Sequence, residues 1–200
     1  MRCLRIPSFE YRRDRWRNGR GWTREILCEE GENWSLRCSV AEIDQDGEFS
    51  RFPGRCRLMA LLQGEGLRLD FTDAPPIDLL PPHGRASYPG DAEVSARLRA
   101  GPCHALNIIY DPNRYEAQLL HRPLVGPMVF FAERDVRWLI YVLSGRAAGR
   151  HGETGAEAEV GDSLLLDAGG QPDGRFLLDG GGELLLVRLQ AKRPVPCAGP

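Results

Sequence analysis

The chain has 200 residues, 42% of them hydrophobic and 27% charged, with 26 basic against 28 acidic side chains and a formal net charge of -2. That length and apolar content suffice for one large domain or two small ones with a real core, and they exclude a disordered polymer. No global basic field is present to hold nucleic acid or an acidic membrane, and nowhere do about 18 apolar residues follow one another as a membrane span requires.

Arginines are dense from Arg12 to Arg24, but Asp14 lies among them and Glu10 and Glu25 flank them. This reads as a solvated or ligand-facing surface. Six cysteines stand at positions 3, 28, 38, 56, 103 and 197, with no Cys-x-x-Cys spacing. The opening residues, Met1-Arg2-Cys3-Leu4-Arg5-Ile6-Pro7, lack the apolar run of a secretory signal. The expectation is a cytoplasmic protein with reduced thiols.

The 23 glycines and 15 prolines are spread along the chain rather than pooled in a linker, which predicts many short strands joined by tight turns. Residues 1 to 15 read as a strand and a charged turn. From Trp34 to Ile43, Trp34, Leu36, Cys38 and Val40 alternate with Ser35, Arg37, Ser39 and Ala41. Period two predicts a half-buried strand. Pro53-Gly54 marks a turn. The run Leu58 to Leu62, the turn Gly64-Glu65-Gly66 and the alternation Leu67, Leu69, Phe71 predict a hairpin with one wet face. Residues 73 to 82 carry four prolines and read as a connection. Strands are expected at 93–98 and 104–110, then a hinge at Asp111-Pro112-Asn113.

In the second half, residues 115–120 fit strand or helix. Strands are expected at 129–131 and 137–143, the latter stopped by Ser144-Gly145. A further hairpin turns at Gly161-Asp162, and Gly180-Gly181-Gly182 reads as a flexible turn. Short leucine-rich runs do not settle the period, but few stretches reach the length of a typical helix. The predicted fold is all-β, two small barrels or sandwiches in tandem, with residues 1–112 as the first, 113–192 as the second and 193–200 as a loose tail.

The stretch Trp16-Arg17-Asn18-Gly19-Arg20-Gly21-Trp22-Thr23-Arg24-Glu25-Ile26 joins two indoles, an amide, two glycines, a hydroxyl and an Arg–Glu pair. Two readings fit. It is a turn into an edge strand whose tryptophans pack in the core, or it is the wall of a small-molecule pocket with flat apolar surfaces and a few orienting polar groups. On a strand, the adjacent Arg24 and Glu25 point to opposite faces. An inward Arg24 or Arg57 would offer a donor fork to a carboxylate, or would be taken by an internal acid. Asn18 and Asn107 can orient a ligand or satisfy loop backbone.

This stretch resembles the Trp-x-Asn-Gly-x-Gly-x-Thr-Arg-Glu segment of the HutD/Ves family. So do Trp34 with Ser39 to Ile43, Asp46 to Gly54 with Arg57, Leu62 to Leu67, Tyr88-Pro89-Gly90-Asp91, and Gly101-Pro102 with Leu106-Asn107. These blocks cover about the first 110 residues; the second half matches only in strand rhythm. The resemblance implies a bicupin of the RmlC-like type that binds a small molecule of histidine utilisation, with a regulatory rather than catalytic role. On the Ves side it implies a stress-related protein. It also implies ligand-binding positions at Asn18, Thr23, Arg24, Glu25, Ser50, Arg57 and Asn107, with Trp16 as a wall. Departures from the family pattern are Arg20 for glycine, Glu48 for proline, Cys56 for aspartate, Ala105 for an acid and Ile109 for methionine.

The four histidines, His83, His104, His121 and His151, show no metal-ligand spacing. No nucleophile elbow or phosphate-binding loop is present in the sequence. The expectation is a site without metal, cofactor or catalytic set. Its partner is a small carboxylate metabolite, with urocanate and formylated or formimino glutamate as candidates, and the chain is a candidate homodimer. An isomerase or hydrolase using Glu25 as acid–base with Asn107 polarising a carbonyl, and a pure interaction protein, are the alternatives.

Overall fold

The computed structural model describes residues 2–29, 31, 34–169 and 174–192. Its strands are β1 (Arg2–Ile6), β2 (Arg12–Arg15), β3 (Gly21–Cys28), β4 (Leu36–Ile43), β5 (Gly47–Glu48), β6 (Cys56–Gln63), β7 (Leu67–Phe71), β8 (Ile77–Leu79) and β9 (Arg85–Pro89). They continue as β10 (Val94–Leu98), β11 (Cys103–Tyr110), β12 (Tyr115–Val125), β13 (Met128–Phe131), β14 (Val136–His151), β15 (Thr154–Glu159), β16 (Ser163–Asp167) and β17 (Arg175–Ala191). One 3-10 turn, Ser8–Glu10, is the only helical element among the described residues.

The chain divides into residues 10–112 and a second unit formed by residues 1–9 with 113–200. The hinge at Asp111-Pro112-Asn113 coincides with this boundary. The first nine residues, expected from the sequence in the first barrel, belong instead to the other unit. β1 pairs antiparallel with β16, from Arg2 opposite Asp167 to Ile6 opposite Ser163. Asp162 fixes this start. Its carboxylate accepts from the Ser8 backbone N–H (2.8 Å) and pairs with Arg5 Nη2 (2.7 Å). A strand recruited from so far along the chain leaves no local sequence signature. The tail at 193–200 lies outside the described residues.

In the unit of residues 10–112, a six-stranded sheet ordered β2-β3-β4-β11-β6-β9 faces a four-stranded sheet ordered β5-β10-β7-β8. Their inner faces enclose Ala41, Ile43, Met59, Leu61 and Ala105 from one side and Leu67, Leu69, Val94 and Ala96 from the other. The expected hairpin at Gly64-Glu65-Gly66 is absent. β6 and β7 lie in different sheets, and the turn carries the chain across the sandwich. Gly64 and Gly66 take φ of 102° and 129° there, and a Cβ on Gly64 would lie 2.5 Å from Cys103 Sγ. The proline-rich connection contains the short strand β8, which pairs with β7. β4 is buried on both faces rather than half-buried, with Ser39 and Glu42 inaccessible as well as Leu36 and Val40.

In the other unit, one seven-stranded sheet runs β1-β16-β14-β17-β12, with β15 on β14 and β13 on β17. It wraps a core that includes Phe130, Ile140, Val142, Phe176 and Leu186. Residues 115–120 are strand, part of β12. Ser144-Gly145 does not stop β14, and the triple glycine is not a loose turn. β14 and β17 are long strands that stay paired through these points, with a register shift between Val142 and Ser144: Gly145, Gly180 and Gly182 take positive φ, and a Cβ on Gly145 would overlap the Gly181 carbonyl. Glycine allows both the backbone conformation and the close approach. Gly161-Asp162 likewise links two strands that pair with successive stretches of β14, not with each other. The five cysteines within the described residues are all free thiols, Cys197 lies outside them, and no helix is long and apolar enough to cross a membrane.

Candidate functional site

On the inner face of the six-stranded sheet the apolar core gives way to polar side chains, and sheet register explains which ones meet. Thr23 of β3 stands opposite Ala41 of β4, and Glu25 opposite Ser39. Ser39 faces Asn107 of β11, and Arg37 faces Ile109. Asn107 faces Met59 of β6, and Ile109 faces Arg57. Alternate residues of a strand share a face, so Arg37, Ser39, Asn107, Ile109 and Arg57 look into one cavity of about 460 Å³.

Trp16, Arg17 and Asn18 of the loop ahead of β3, with Glu48, Phe49, Ser50 and Phe52, form its walls. Loop geometry follows from sequence. Trp16 and Gly21 are tied by a backbone bond (3.0 Å), and Gly19 takes φ of 71° at the tip. Asn18 Oδ1 accepts from the Arg20 N–H (3.0 Å), so this side chain builds the turn and also lines the cavity. Trp16 Nε1 donates to Thr23 Oγ1 (2.9 Å), and its ring meets Phe49 edge-on at 5.9 Å. The indole is thereby fixed as a wall.

Arg57 and Asn107 lie at the floor, 5% and 6% exposed. Arg57 Nε donates to Asn107 Oδ1 (2.6 Å). The guanidinium carbon sits 4.6 Å from the centre of the Phe49 ring and 5.7 Å from that of Tyr88. Among the described residues no carboxylate pairs with Arg57, and its four Nη hydrogens meet no acceptor. Burial pulls its pKa below the ordinary arginine value, and the Arg37 charge pulls it further. Burial also pushes the Tyr88 phenol up.

Of the eight residues expected to bind a ligand, Trp16, Asn18, Thr23, Ser50, Arg57 and Asn107 line this cavity, and Arg24 and Glu25 do not. Arg24 lies on the other face of β3, with Nε 3.2 Å from Glu42 Oε1 and its guanidinium near the Tyr11 ring. Glu25 is held by Arg12 Nη2 (3.2 Å) and Arg37 Nε (3.0 Å). Internal acids and bases pair with both side chains, although the buried Arg24 Nε finds no hydrogen-bond acceptor among the described residues. Sequence reasoning missed Arg37, Ser39, Phe49 and Ile109 as lining residues. Arg37 and Ser39 sit on the polar side of the β4 alternation, and that pattern was the available signal. A half-buried strand would turn that side to solvent; here it faces the cavity.

Two successive all-β units, each a strand-built shell around its own apolar core, place the chain among the bicupins. It belongs to the HutD family, whose profile matches residues 8–186. An uncharacterised 21.2 kDa protein from the hutC 3′ region of Pseudomonas putida is 39% identical over 117 residues. That match spans 57% of this chain and only 61% of the relative. Protein Ves of Citrobacter koseri is 37% identical over 133 residues, 65% of this chain and 67% of that one. Among solved structures, HutD from Pseudomonas fluorescens SBW25 superposes with a TM-score of 0.81 at 28% identity, covering 96% of this chain and 100% of that one. A variant of Bacillus subtilis oxalate decarboxylase shares the fold alone, with a TM-score of 0.65 at 9% identity over 94% of this chain and 76% of the other.

Proposed function

We propose that the cavity between β3, β4, β11 and β6 binds the carboxylate of a small metabolite, and that the protein acts in the cytoplasm as a metabolite-responsive modulator of histidine utilisation. The observation that carries this reading is the buried Arg57 guanidinium, which has a neutral amide as its hydrogen-bond partner and, among the described residues, no acid. A desolvated cation without a counter-charge is costly, and a ligand carboxylate removes that cost through paired N–H···O bonds. The walls offered by Trp16, Phe49, Phe52 and Ile109 suit a flat or short apolar body, and Ser39, Thr23, Ser50 and Asn18 suit a few polar substituents. A relative from a hutC region supports histidine utilisation as the metabolic setting. Urocanate and N-formyl- or formimino-glutamate are the first ligands to try.

Isothermal titration of the purified protein with these three acids, with histidine as the control, tests the reading. Saturable binding of one acid that disappears in Arg57→Ala supports it. Absence of binding by all three, with a stable fold, removes it. Turnover of any of them moves the assignment to an enzyme.

A further inference from the structure

The cavity floor holds a second arginine. Arg37 of β4 and Arg57 of β6 flank Ile109 of β11 in one row of the sheet, because Ile109 is paired with both. Neighbouring strands lie about 4.8 Å apart, so the two α-carbons are about 10 Å apart with both side chains on the cavity face. That span is within reach of two guanidinium groups converging on one small anion.

The two are anchored alike. Arg57 is held through Nε by Asn107 Oδ1 (2.6 Å), and Arg37 is held through Nε by Glu25 Oε2 (3.0 Å). Neither makes a further hydrogen bond from its Nη groups to the described residues. Each therefore presents the paired Nη edge that recognises carboxylates. Local charges do not cancel. Arg15, Arg17, Arg37 and Arg57 line the cavity against Asp14 and Glu48, so positive charge is in excess, and among the described residues no carboxylate pairs with Arg57.

We propose that Arg37 is a second ligand contact, that a single carboxylate spans Arg37 and Arg57, and that Glu25 is the positioning residue that keeps Arg37 aimed at it. This rests on reading the cavity as a carboxylate site.

The test uses nitrogen-edited NMR of the arginine Nε–H groups in the whole protein, titrated with acetate and with glutarate. Arg37→Lys and Arg57→Lys assign the resonances. The expected result is that the Arg37 and Arg57 signals move together with one dissociation constant. Movement of Arg57 alone overturns this inference and leaves the carboxylate reading standing. Movement of neither overturns both. A folded Arg37→Gln is expected to bind about ten- to a hundredfold more weakly, the loss of one charge-assisted contact. Glu25→Gln is expected to weaken binding and to shift the Arg37 signal in the free protein without shifting that of Arg57. Unchanged affinity in Glu25→Gln overturns the positioning role.

Discussion

Arg57 Nε donates to Asn107 Oδ1 across the diagonal between β6 and β11, and both side chains are buried. The bond satisfies one donor of the cation but supplies no negative charge. In the ligand-free protein this is a weak point in stability, since a buried charge keeps most of its desolvation cost unless an opposite charge faces it. A residue retained on such terms suits binding better than folding, and the first two predictions separate those roles.

Arg57→Met keeps the volume and removes the charge. Stability of the ligand-free protein, measured by urea denaturation, is expected to stay level or rise by about 1–4 kcal/mol. Carboxylate affinity is expected to fall at least about a hundredfold. A large loss of stability would make Arg57 a structural residue.

Asn107→Asp places an acid beside the guanidinium. The ligand-free protein is expected to melt higher near neutral pH, and the carboxylate response is expected to vanish, because the new side chain occupies the charge that the ligand would meet. Asn107→Leu leaves the Arg57 Nε–H without an acceptor and is expected to cost about 1–3 kcal/mol. Thermal melts of both variants with and without ligand check the pair.

Gly21→Ala tests the loop wall. A Cβ there would overlap the Glu42 carbonyl oxygen and stand 3.1 Å from the Trp16 ring. The backbone oxygen cannot yield as a flexible side chain does. A destabilisation of about 1–3 kcal/mol is expected, with a changed tryptophan emission as Trp16 shifts. Gly47→Ala is expected to be milder, because the neighbour it meets is the flexible Arg20 side chain lying over Gly47, with Nη1 on the Asp46 carbonyl.

Asp162 gives the second unit a pH dependence. Burial alone would push its carboxyl up, but N–H groups of Ser8 and Glu159 and the Arg5 guanidinium together hold it below the usual carboxylate range. A depressed native pKa means that the unfolded chain binds the proton more tightly. Its stabilisation is thus complete above the ordinary aspartate pKa of about 4 and is lost as pH falls through the lower native value. Asp162→Asn is expected to lower stability at pH 7 and to flatten the acid limb of the stability profile. An unchanged acid limb would falsify this assignment.

Sequence by itself determined the class of fold, through turn chemistry every few residues and period-two patterns such as Leu67-Arg68-Leu69-Asp70-Phe71. Its break at Asp111-Pro112-Asn113 falls where the chain divides into two compact units, and the family blocks brought six cavity residues into view. Those signals are local, since each depends on neighbours within a few positions. Tertiary structure decided the rest. Pairing of β1 with β16, the passage of the chain between sheets at Gly64-Gly66 and the long pairing of β14 with β17 join residues far apart in sequence, and no local period encodes a partner. The same holds at the site. Arg24 and Arg37 look alike in sequence, each a strand arginine within reach of an acid, but register turns Arg37 to the cavity and Arg24 to Glu42 on the other face. A shift of one residue along β4 would exchange every such side, because adjacent side chains point to opposite faces of the sheet.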